Sequence, residues 1–313
     1  TSFRRVRERE MDRFKLDYHC TVRRDVDPAR FNAARNLDLR VPELENVWEW
    51  CKQQHCSTLG TLADVGLGLS YRGRDLPPDA RTYSADRFTG AVRGFVHFDC
   101  EYLHETPTAY WLNLNDDVLL RSQAGTTTGV PQLLLNYARV SRGPWRLKAL
   151  IDRDGHAVSS NFIVIRPDAS KWPLESIWAL MNSPLANGFA YCHLGKRHNI
   201  VNTIRETPIP RADSRSVARI AQAARAFLTA VSRDDLSARQ VEPETLRDLM
   251  LRVDAEALRF YELPPQLERE LLDLFAGWPR VGMPFCFERY FPPHFEDCLP
   301  LHDLIAITQD WPK

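Results

Sequence analysis

The hydrophobic residues between positions 57 and 210 occur in short runs that are rich in β-branched and aromatic side chains. Glycine, proline and aspartate separate these runs. Runs of this length between turn-forming residues are typical of β-strands. The pattern therefore predicts a strand-rich region, with strands at 95–98, 109–114, 118–120, 132–137, 146–151 and 162–165.

The sequence Asp152-Arg-Asp154-Gly155 lies between the last two predicted strands. An Asp-Gly pair readily supplies the positive φ that a tight turn requires. The pair therefore predicts a hairpin that joins two neighbouring antiparallel strands.

A helical pattern interrupts the strand-rich region. One face of a 3.6-residue period is apolar, at Leu174, Ile177, Trp178 and Met181. Pro173 suits the first turn of this helix, and Pro184 suits its end. A second helix is predicted after this break, at 184–191, and a basic polar loop follows at 195–199.

After Pro210 the strand pattern stops and longer 3.6-residue periods begin. Amphipathic stripes run through 217–228, 242–262 and 265–276, which predicts three helices packed as a bundle. The whole pattern predicts an α+β fold: a strand-rich domain at 57–210 followed by an all-helical segment at 211–277. Residues 1–56 are predicted to be a partly helical N-terminal arm or linker. Residues 278–313 are predicted to be a C-terminal tail rich in proline and aromatic residues.

The composition is that of a globular protein. Of the 313 residues, 44% are hydrophobic and 26% are charged, which supports a sizeable core and excludes wholesale disorder. No window approaches 18 consecutive apolar residues, so a membrane helix and a membrane partner are not expected. The basic N-terminus is not followed by an apolar stretch, so a secretory signal is not expected either.

The cysteines are few and scattered. An odd number spread over a long chain favours reduced thiols, and hence a cytoplasmic protein, over a disulfide framework. The set is Cys20, Cys51, Cys56, Cys100, Cys192, Cys286 and Cys298. Cys51, His55 and Cys56, even with His19 and Cys20, do not match the spacing of a zinc site, so we expect no metal.

The net charge is zero, but the charges are unevenly distributed. Residues 121–211 contain twelve Lys/Arg and five Asp/Glu, a balance of +7, whereas residues 212–313 contain twelve and seventeen, a balance of −5. Residues 101–120 contain four acidic residues and no basic ones. Such asymmetry is typical of a polyanion-binding surface beside a neutral or acidic one, although a solvated basic face without a ligand gives the same pattern.

The sequence lacks the common catalytic motifs. It contains no dinucleotide-binding or phosphate-binding glycine loop, no Gly-x-Ser-x-Gly elbow and no His-Glu-x-x-His helix. His156, His193 and His198 could act as general bases, but no nucleophile with a matching orienting group accompanies them. We therefore assign no catalytic residue to this chain.

Four blocks of the sequence resemble the target-recognition domains of N6-adenine DNA methyltransferases and of the specificity subunits of bacterial restriction–modification systems. The order and spacing of the blocks support the resemblance more than any single block. The blocks are Lys148-Ala-Leu-Ile-Asp-Arg-Asp-Gly-His-Ala-Val-Ser-Ser-Asn161-Phe-Ile-Val-Ile, Leu174-Glu-Ser-Ile-Trp-Ala-Leu-Met-Asn182-Ser183-Pro184-Leu-Ala-Asn187, Lys196-Arg197-His198-Asn199-Ile with Ile209-Pro210, and Leu59-Gly-Thr-Leu-Ala-Asp-Val-Gly66-Leu-Gly68-Leu-Ser-Tyr71-Arg72-Gly-Arg74.

The resemblance spans residues 58–210 and implies the DNA-reading half of such an enzyme. A whole methyltransferase of this family also has an Asn/Asp-Pro-Pro-Tyr/Phe motif, whereas the Pro-Pro pairs here follow Leu76, Leu263 and Phe291. The resemblance therefore implies a chain without the methyl-transfer domain and without a cofactor of its own. S-adenosylmethionine is expected only on a methyltransferase partner or a missing domain. The implied partners are double-stranded DNA and a methyltransferase or restriction domain or subunit.

Basic and amide side chains in or near predicted loops are the candidates for DNA contact. Lys and Arg neutralise phosphates, Arg pairs with guanine, and Asn or Gln pairs with adenine. The candidates are Arg72, Arg74, Arg142, Arg146, Lys148, Lys196, Arg197, His198 and Asn199. Asn182 and Asn187 are instead expected to cap a helix end.

Two other functional classes remain open from the sequence. In the first, the chain is an enzyme, such as a nuclease or a divergent DNA methyltransferase, whose active site the motifs do not reveal. In the second, the chain is a protein-interaction scaffold. Binding of short duplexes at two salt concentrations distinguishes the scaffold, and turnover distinguishes the enzyme.

Overall fold

The computed structural model describes residues 2–6, 10–20, 22–29, 43–73, 76, 80–194, 198–211, 213–236, 241–292 and 294–307. The chain divides into two compact units, Thr1–Glu45 and Asn46–Lys313. The segment boundaries expected at residues 56, 210 and 277 remain predictions.

Short strands and helices make up both units. The strands are β1 (Ser2–Arg5), β2 (Val22–Asp25), β3 (Ser57–Thr58), β4 (Ala63–Leu67), β5 (Ser70–Tyr71), β6 (Tyr83–Ser84), β7 (Val92–Phe95), β8 (Ala109–Leu112), β9 (Leu119–Arg121), β10 (Gln132–Asn136), β11 (Ala149–Asp152), β12 (Ala157–Val158), β13 (Phe162–Pro167) and β14 (Pro208–Ile209). The helices are α1 (Met11–Asp17), α2 (Glu45–Gln53), α3 (Leu59–Leu62), α4 (Leu174–Asn182), α5 (Pro184–His193), α6 (Val201–Arg205), α7 (Ser214–Leu236), α8 (Pro243–Tyr261), α9 (Pro265–Asp273) and α10 (Leu301–Ile307).

The first unit contains a two-stranded antiparallel sheet of β1 and β2. Helix α1 lies between these strands in the sequence, and Tyr18 ends it in the left-handed conformation. The guanidinium of Arg5 pairs with the carboxylate of Glu43 in the same unit.

A four-stranded antiparallel sheet in the order β11-β10-β13-β4 forms the centre of the second unit. Every residue of β10 is buried, because apolar side chains cover both faces of the sheet. On one face Leu134, Leu150 and Val164 pack with Phe95 and Phe162. Continuous hydrophobic strands are typical of a sheet that is covered on both sides.

A second four-stranded sheet has the order β12-β7-β8-β6, with β12 parallel to β7 and the other pairs antiparallel. Five of the six strands predicted between residues 95 and 165 are present, with ends shifted by up to three residues. The strand predicted at 95–98 is misplaced, because β7 covers Val92–Phe95 and shares only Phe95 with it. In the block that begins at Leu59, the short helix α3 leads directly into β4, which contains Gly66 and is followed by Gly68. Gly68 is required there because a Cβ would lie 1.9 Å from the carbonyl oxygen of Ser159.

The predicted hairpin at residues 152–155 is wrong. Gly155 does adopt a positive φ of 68°, as a turn requires. However, β11 pairs with β10, β12 pairs with β7, and β13 pairs with β10 and β4. The turn thus leads the chain out of one sheet and into the other, and it does not join paired strands.

The predicted helices are present, but the expected bundle of three is not, because α9 packs mainly against α5 rather than against α7 and α8. Pro173 immediately precedes α4, and Ser183 caps α5 by accepting a hydrogen bond from the N–H of Ala186. From Ser214 onward the described residues form helices and irregular segments without a strand. Helix α7 packs against both α4 and α8. The fold class is therefore α+β, with a strand-rich part followed by a helical part. None of the helices in the described ranges is long and apolar enough to cross a membrane.

Candidate nucleic-acid interface

The nine residues expected to contact DNA fall into three groups of three. Arg74, Lys196 and Arg197 lie outside the described residues. Arg72, Arg142 and His198 are exposed. Arg146, Lys148 and Asn199 are buried.

Arg146 and Lys148 are enclosed by the protein. Only 4% of Arg146 and 6% of Lys148 are exposed. Arg146 Nη1 donates to the carbonyl oxygen of Leu194 at 3.0 Å, and Lys148 Nζ donates to the carbonyl oxygens of Cys100 and Glu101 at 2.8 and 2.7 Å. Burial lowers the pKa of both side chains. We therefore correct the expectation and remove both residues from the interface. Their charged groups donate to buried main-chain carbonyl oxygens and do not face solvent.

Asn199 is also removed from the interface. It is fully buried, and its Nδ2 donates to the carbonyl oxygen of Asn136 at 2.8 Å. Its main-chain N–H donates to the carbonyl oxygen of Tyr137 at 2.8 Å. Asn199 thus fixes the segment that carries His198, and its amide is turned away from solvent.

Arg72 is exposed, but its guanidinium has protein partners. Nε donates to the carbonyl oxygen of Leu119 at 3.0 Å, and Nη2 donates to that of Asp116 at 3.3 Å. Arg72 therefore holds the segment after β5 against the start of β9. Contact with a base would require it to give up these bonds.

Two of the predicted loops meet at the end of β10. Ala138, just after β10, forms an antiparallel bridge with His198. The ring of His198 stacks on that of Tyr137, with 4.8 Å between the centroids and 15° between the planes. We call this region the β10-end surface: Tyr137, Arg139, Arg142 and His198. Lys196 and Arg197 directly precede His198 in the sequence, outside the described residues.

The β10-end surface is built from chain segments without acidic residues. Residues 121–151 and 176–205 together contain eight Lys/Arg and no Asp or Glu. Arg139 is exposed, and its positive charge contributes to the lowered pKa of the buried Arg146. Sequence reasoning missed Arg139 and Tyr137, although the absence of acidic residues around Arg139 was a usable signal.

Buried asparagines hold the main chain beneath the β10-end surface. The Oδ1 atom of Asn136 accepts from the N–H of Lys148 at 2.7 Å, and its Nδ2 donates to the carbonyl oxygen of Arg146 at 2.9 Å. Asn187 Oδ1 accepts from the N–H of Arg146 at 2.9 Å. Asn182 Oδ1 accepts from the N–H of Ala149 at 3.0 Å. The capping expectation for Asn182 and Asn187 describes only part of their bonding. Each Nδ2 donates to a carbonyl oxygen near an end of a helix, at Trp178 and Ser183 respectively. Each Oδ1 instead accepts from the distant main chain of β11 or of the segment just before it.

The C-terminal segment supports the loop between β10 and β11. The ring of Trp145 lies 4.2 Å from that of Phe275, centroid to centroid, and the guanidinium of Arg280 lies 4.5 Å from the Trp145 ring. Trp278 packs on Gly143, where a Cβ would lie 2.4 Å from the indole. Residues beyond 274 thus buttress the segment that presents Arg139 and Arg142.

Arg280 is itself fixed by a buried network. Its guanidinium forms a two-pronged ion pair with the carboxylate of Asp254, in which one bond is 3.0 Å long. The hydroxyl of Tyr290 donates to the same carboxylate at 2.6 Å. Nη2 of Arg280 donates to the carbonyl oxygen of Asn182 at 2.9 Å. The network joins α8, the C-terminal segment and the end of α4.

His156 has the partner of a general base but is part of a tight turn. Its Nδ1 lies 2.8 Å from Asp152 Oδ1, beside a cleft of about 370 Å³ that His104 also lines. Asp152 also accepts hydrogen bonds from the side chain of Gln132 and from the N–H groups of Gly155 and His156. The carboxylate is thus used to close the turn. Within the described ranges, no three His, Cys, Asp or Glu side chains are placed to hold a metal ion.

Comparisons with known proteins find distant structural similarity. No protein-family model matches the sequence, and no curated protein matches it. Among solved structures, the chain is similar to the HsdS subunit from Thermoanaerobacter tengcongensis, at 14% sequence identity and a TM-score of 0.35. The match covers 70% of this chain and 53% of that one, so the chain spans about half the length of this neighbour. The function proposed below therefore rests on the site and on the resemblance of the sequence blocks.

Proposed function

We propose that this chain is a sequence-specific recognition module for double-stranded DNA in a restriction–modification system. The observation that carries the proposal is the β10-end surface, where two acid-free basic segments meet. A DNA duplex carries about one negative charge per 1.7 Å of its axis, so a binder needs clustered cations. Arg139 and Arg142 are exposed on this surface.

The same surface has groups suited to reading bases. An arginine fork can pair with guanine, and a histidine ring can donate to or accept from a base edge. His198 is held by its stack on Tyr137 and by the buried Asn199 beside it. A fixed side chain loses little conformational entropy on binding, which favours discrimination between bases.

The partner and the reaction follow from the sequence resemblance and are part of the proposal. A methyltransferase or restriction domain, in the same protein or in a separate subunit, supplies the chemistry on N6 of adenine and binds S-adenosylmethionine. This chain recognises the DNA sequence at which that domain or subunit acts. The seven cysteines are free thiols, which fits a reducing compartment, and we place the module in the cytoplasm.

Binding of a random-sequence duplex tests the proposal through its salt dependence. Affinity should fall steeply with salt, and the double variant Arg139→Gln/Arg142→Gln should reduce the slope of log K against log salt by about two. Arg215→Gln, which removes an exposed arginine from α7, is the matched control and should keep the wild-type slope. Salt-independent binding, or none, contradicts the proposal and favours a protein scaffold. Turnover by the chain alone contradicts it in favour of an enzyme.

A further inference from the structure

A second basic site lies on the sheet of β12, β7, β8 and β6. Arg93 on β7 and Ser84 on β6 are both register partners of Trp111 on β8. Cross-strand partners project from the same face of a sheet, so these three side chains share a face. Further along the same face, Phe95 and Ala109 pack into the core, whereas the end at Trp111 remains at the surface.

A fourth residue is positioned over this face by a turn. After β6, the main-chain N–H of Asp86 donates to Ser84 Oγ at 3.1 Å. The next residue, Arg87, places its guanidinium 5.0 Å from the centre of the Trp111 ring. Arg87 and Arg93 are thus the two exposed cations that flank one indole.

Neither cation is neutralised by a neighbour within the described part of the chain. No carboxylate there forms an ion pair with Arg87 or Arg93, and residues 80–97 contain three arginines and a single acidic residue, Asp86. A guanidinium that rests on an aromatic face keeps its N–H donors in the plane, directed past the ring. That arrangement leaves a fork of donors available to a planar or tetrahedral anion.

We infer that Arg87 and Arg93 bind a phosphodiester of the duplex backbone and that Trp111 positions Arg87 for this contact. The inference rests on the proposed function and adds an anchor outside the β10-end surface. A phosphate is favoured over a base edge because both cations lie on an open sheet face, whereas base edges lie at the bottom of a groove. This anchor supplies affinity and register without reading sequence.

The test uses the full chain and a random-sequence duplex of about 25 base pairs, titrated by fluorescence anisotropy over a series of NaCl concentrations. Arg87→Gln and Arg93→Gln should each weaken binding roughly threefold to tenfold and reduce the salt slope by about one. Arg252→Gln, an exposed arginine on α8, is the control and should change neither quantity.

Two further variants test the role of Trp111. Trp111→Leu should weaken binding in the wild-type background and have no further effect in the Arg87→Gln background, because its contribution passes through Arg87. Arg87→Lys retains the charge but not the fork, so its affinity should lie between wild type and Arg87→Gln. Melting temperatures establish that each variant is folded, and the arginine variants remain informative if Trp111→Leu does not fold.

The outcomes separate this inference from the proposed function. Wild-type binding with unchanged slopes in both arginine variants overturns the anchor alone. An equal loss on adding Trp111→Leu to wild type and to Arg87→Gln overturns the positioning role. A wild-type chain that does not bind duplex DNA overturns both proposals.

Discussion

The side-chain oxygen of Asn187 accepts a hydrogen bond from the main-chain N–H of Arg146 at 2.9 Å, across 41 positions of sequence. The same oxygen accepts from the N–H of Leu147 at 2.8 Å. The side-chain amide of Asn187 on α5 therefore satisfies two consecutive main-chain donors, at Arg146 and Leu147. These two residues lie just before the start of β11. Through this contact, a helix fixes the end of the loop that carries the exposed arginines.

Replacing Asn187 should lower the stability of the folded protein. Asn187→Ala leaves two buried N–H groups without a partner, and each such group costs about 1–3 kcal/mol. We expect the free energy of unfolding, measured by urea denaturation, to fall by about 2–4 kcal/mol. Asn202→Ala, on the exposed side of α6, is the control and should change it by less than about 0.5 kcal/mol. Similar values for the two variants would show that the Asn187 contact is not structural.

Removing one member of the Asp254–Arg280 pair should destabilise the protein strongly, whereas replacing both members with apolar residues should destabilise it little. Asp254→Leu leaves the guanidinium of Arg280 buried without its counter-ion, which typically costs about 3–5 kcal/mol. The double variant Asp254→Leu/Arg280→Met removes both charges and should recover most of that loss. Melting curves of the wild type, Asp254→Leu and the double variant check this, and a double variant less stable than Asp254→Leu would contradict it.

Glu268 should make stability depend on pH. Burial raises the pKa of this carboxyl from its ordinary value of 4.5 to about 7, although the N–H of Leu301 donates to it at 2.6 Å. Between these two pH values the folded state holds the proton more tightly than the unfolded state, so stability should fall as the pH rises from about 4.5 to 7. The loss should approach about 3 kcal/mol.

The matched variants for this effect are Glu268→Gln and Glu270→Gln on the same helix. Glu268→Gln should remove the fall in stability over this pH range, because the amide oxygen still accepts from Leu301 and carries no charge. Glu270 is exposed, and its replacement should leave the fall unchanged. A wild-type stability that is level between pH 4.5 and 7 would refute the assignment to Glu268.

Replacing Lys148 should affect the stability of the fold, whereas replacing Arg139 should affect DNA binding. Lys148→Gln removes the ammonium that binds two carbonyl oxygens and should lower the free energy of unfolding by about 1–3 kcal/mol without changing the salt slope. Arg139→Gln should do the reverse, because its side chain is exposed. Urea denaturation and salt titration of both variants check this. A reduced slope for Lys148→Gln with unchanged stability would restore Lys148 to the interface.

The local elements were predictable from the sequence because they depend on nearby residues. The apolar period fixed α4, and prolines marked its ends, so the structure departs from the prediction only slightly. The hairpin at residues 152–155 failed because a turn signal reports local backbone conformation and not the strand that will pair. Pairing β12 with β7 depends on residues more than 60 positions apart.

The candidate site was predictable only in part, for a related reason. Loop arginines were singled out by charge, but charge does not reveal burial, and Arg146 and Lys148 are enclosed by segments distant in sequence. Asn182 and Asn187 looked like caps because each lies in a helix near an end, but each also binds main-chain groups more than 30 residues earlier, which the sequence could not reveal. The DNA-facing role of the remaining residues stays a prediction.

The most direct test of the central claim is the ratio of affinities for a selected and a scrambled duplex at the same salt concentration. Several rounds of selection from a random duplex library with the full chain would provide the preferred site. The account predicts that one sequence is enriched and that it binds at least a thousandfold more tightly than its scrambled version, as specific DNA-binding proteins do. Equal affinities for the two duplexes, or no enrichment, would contradict sequence recognition by this chain.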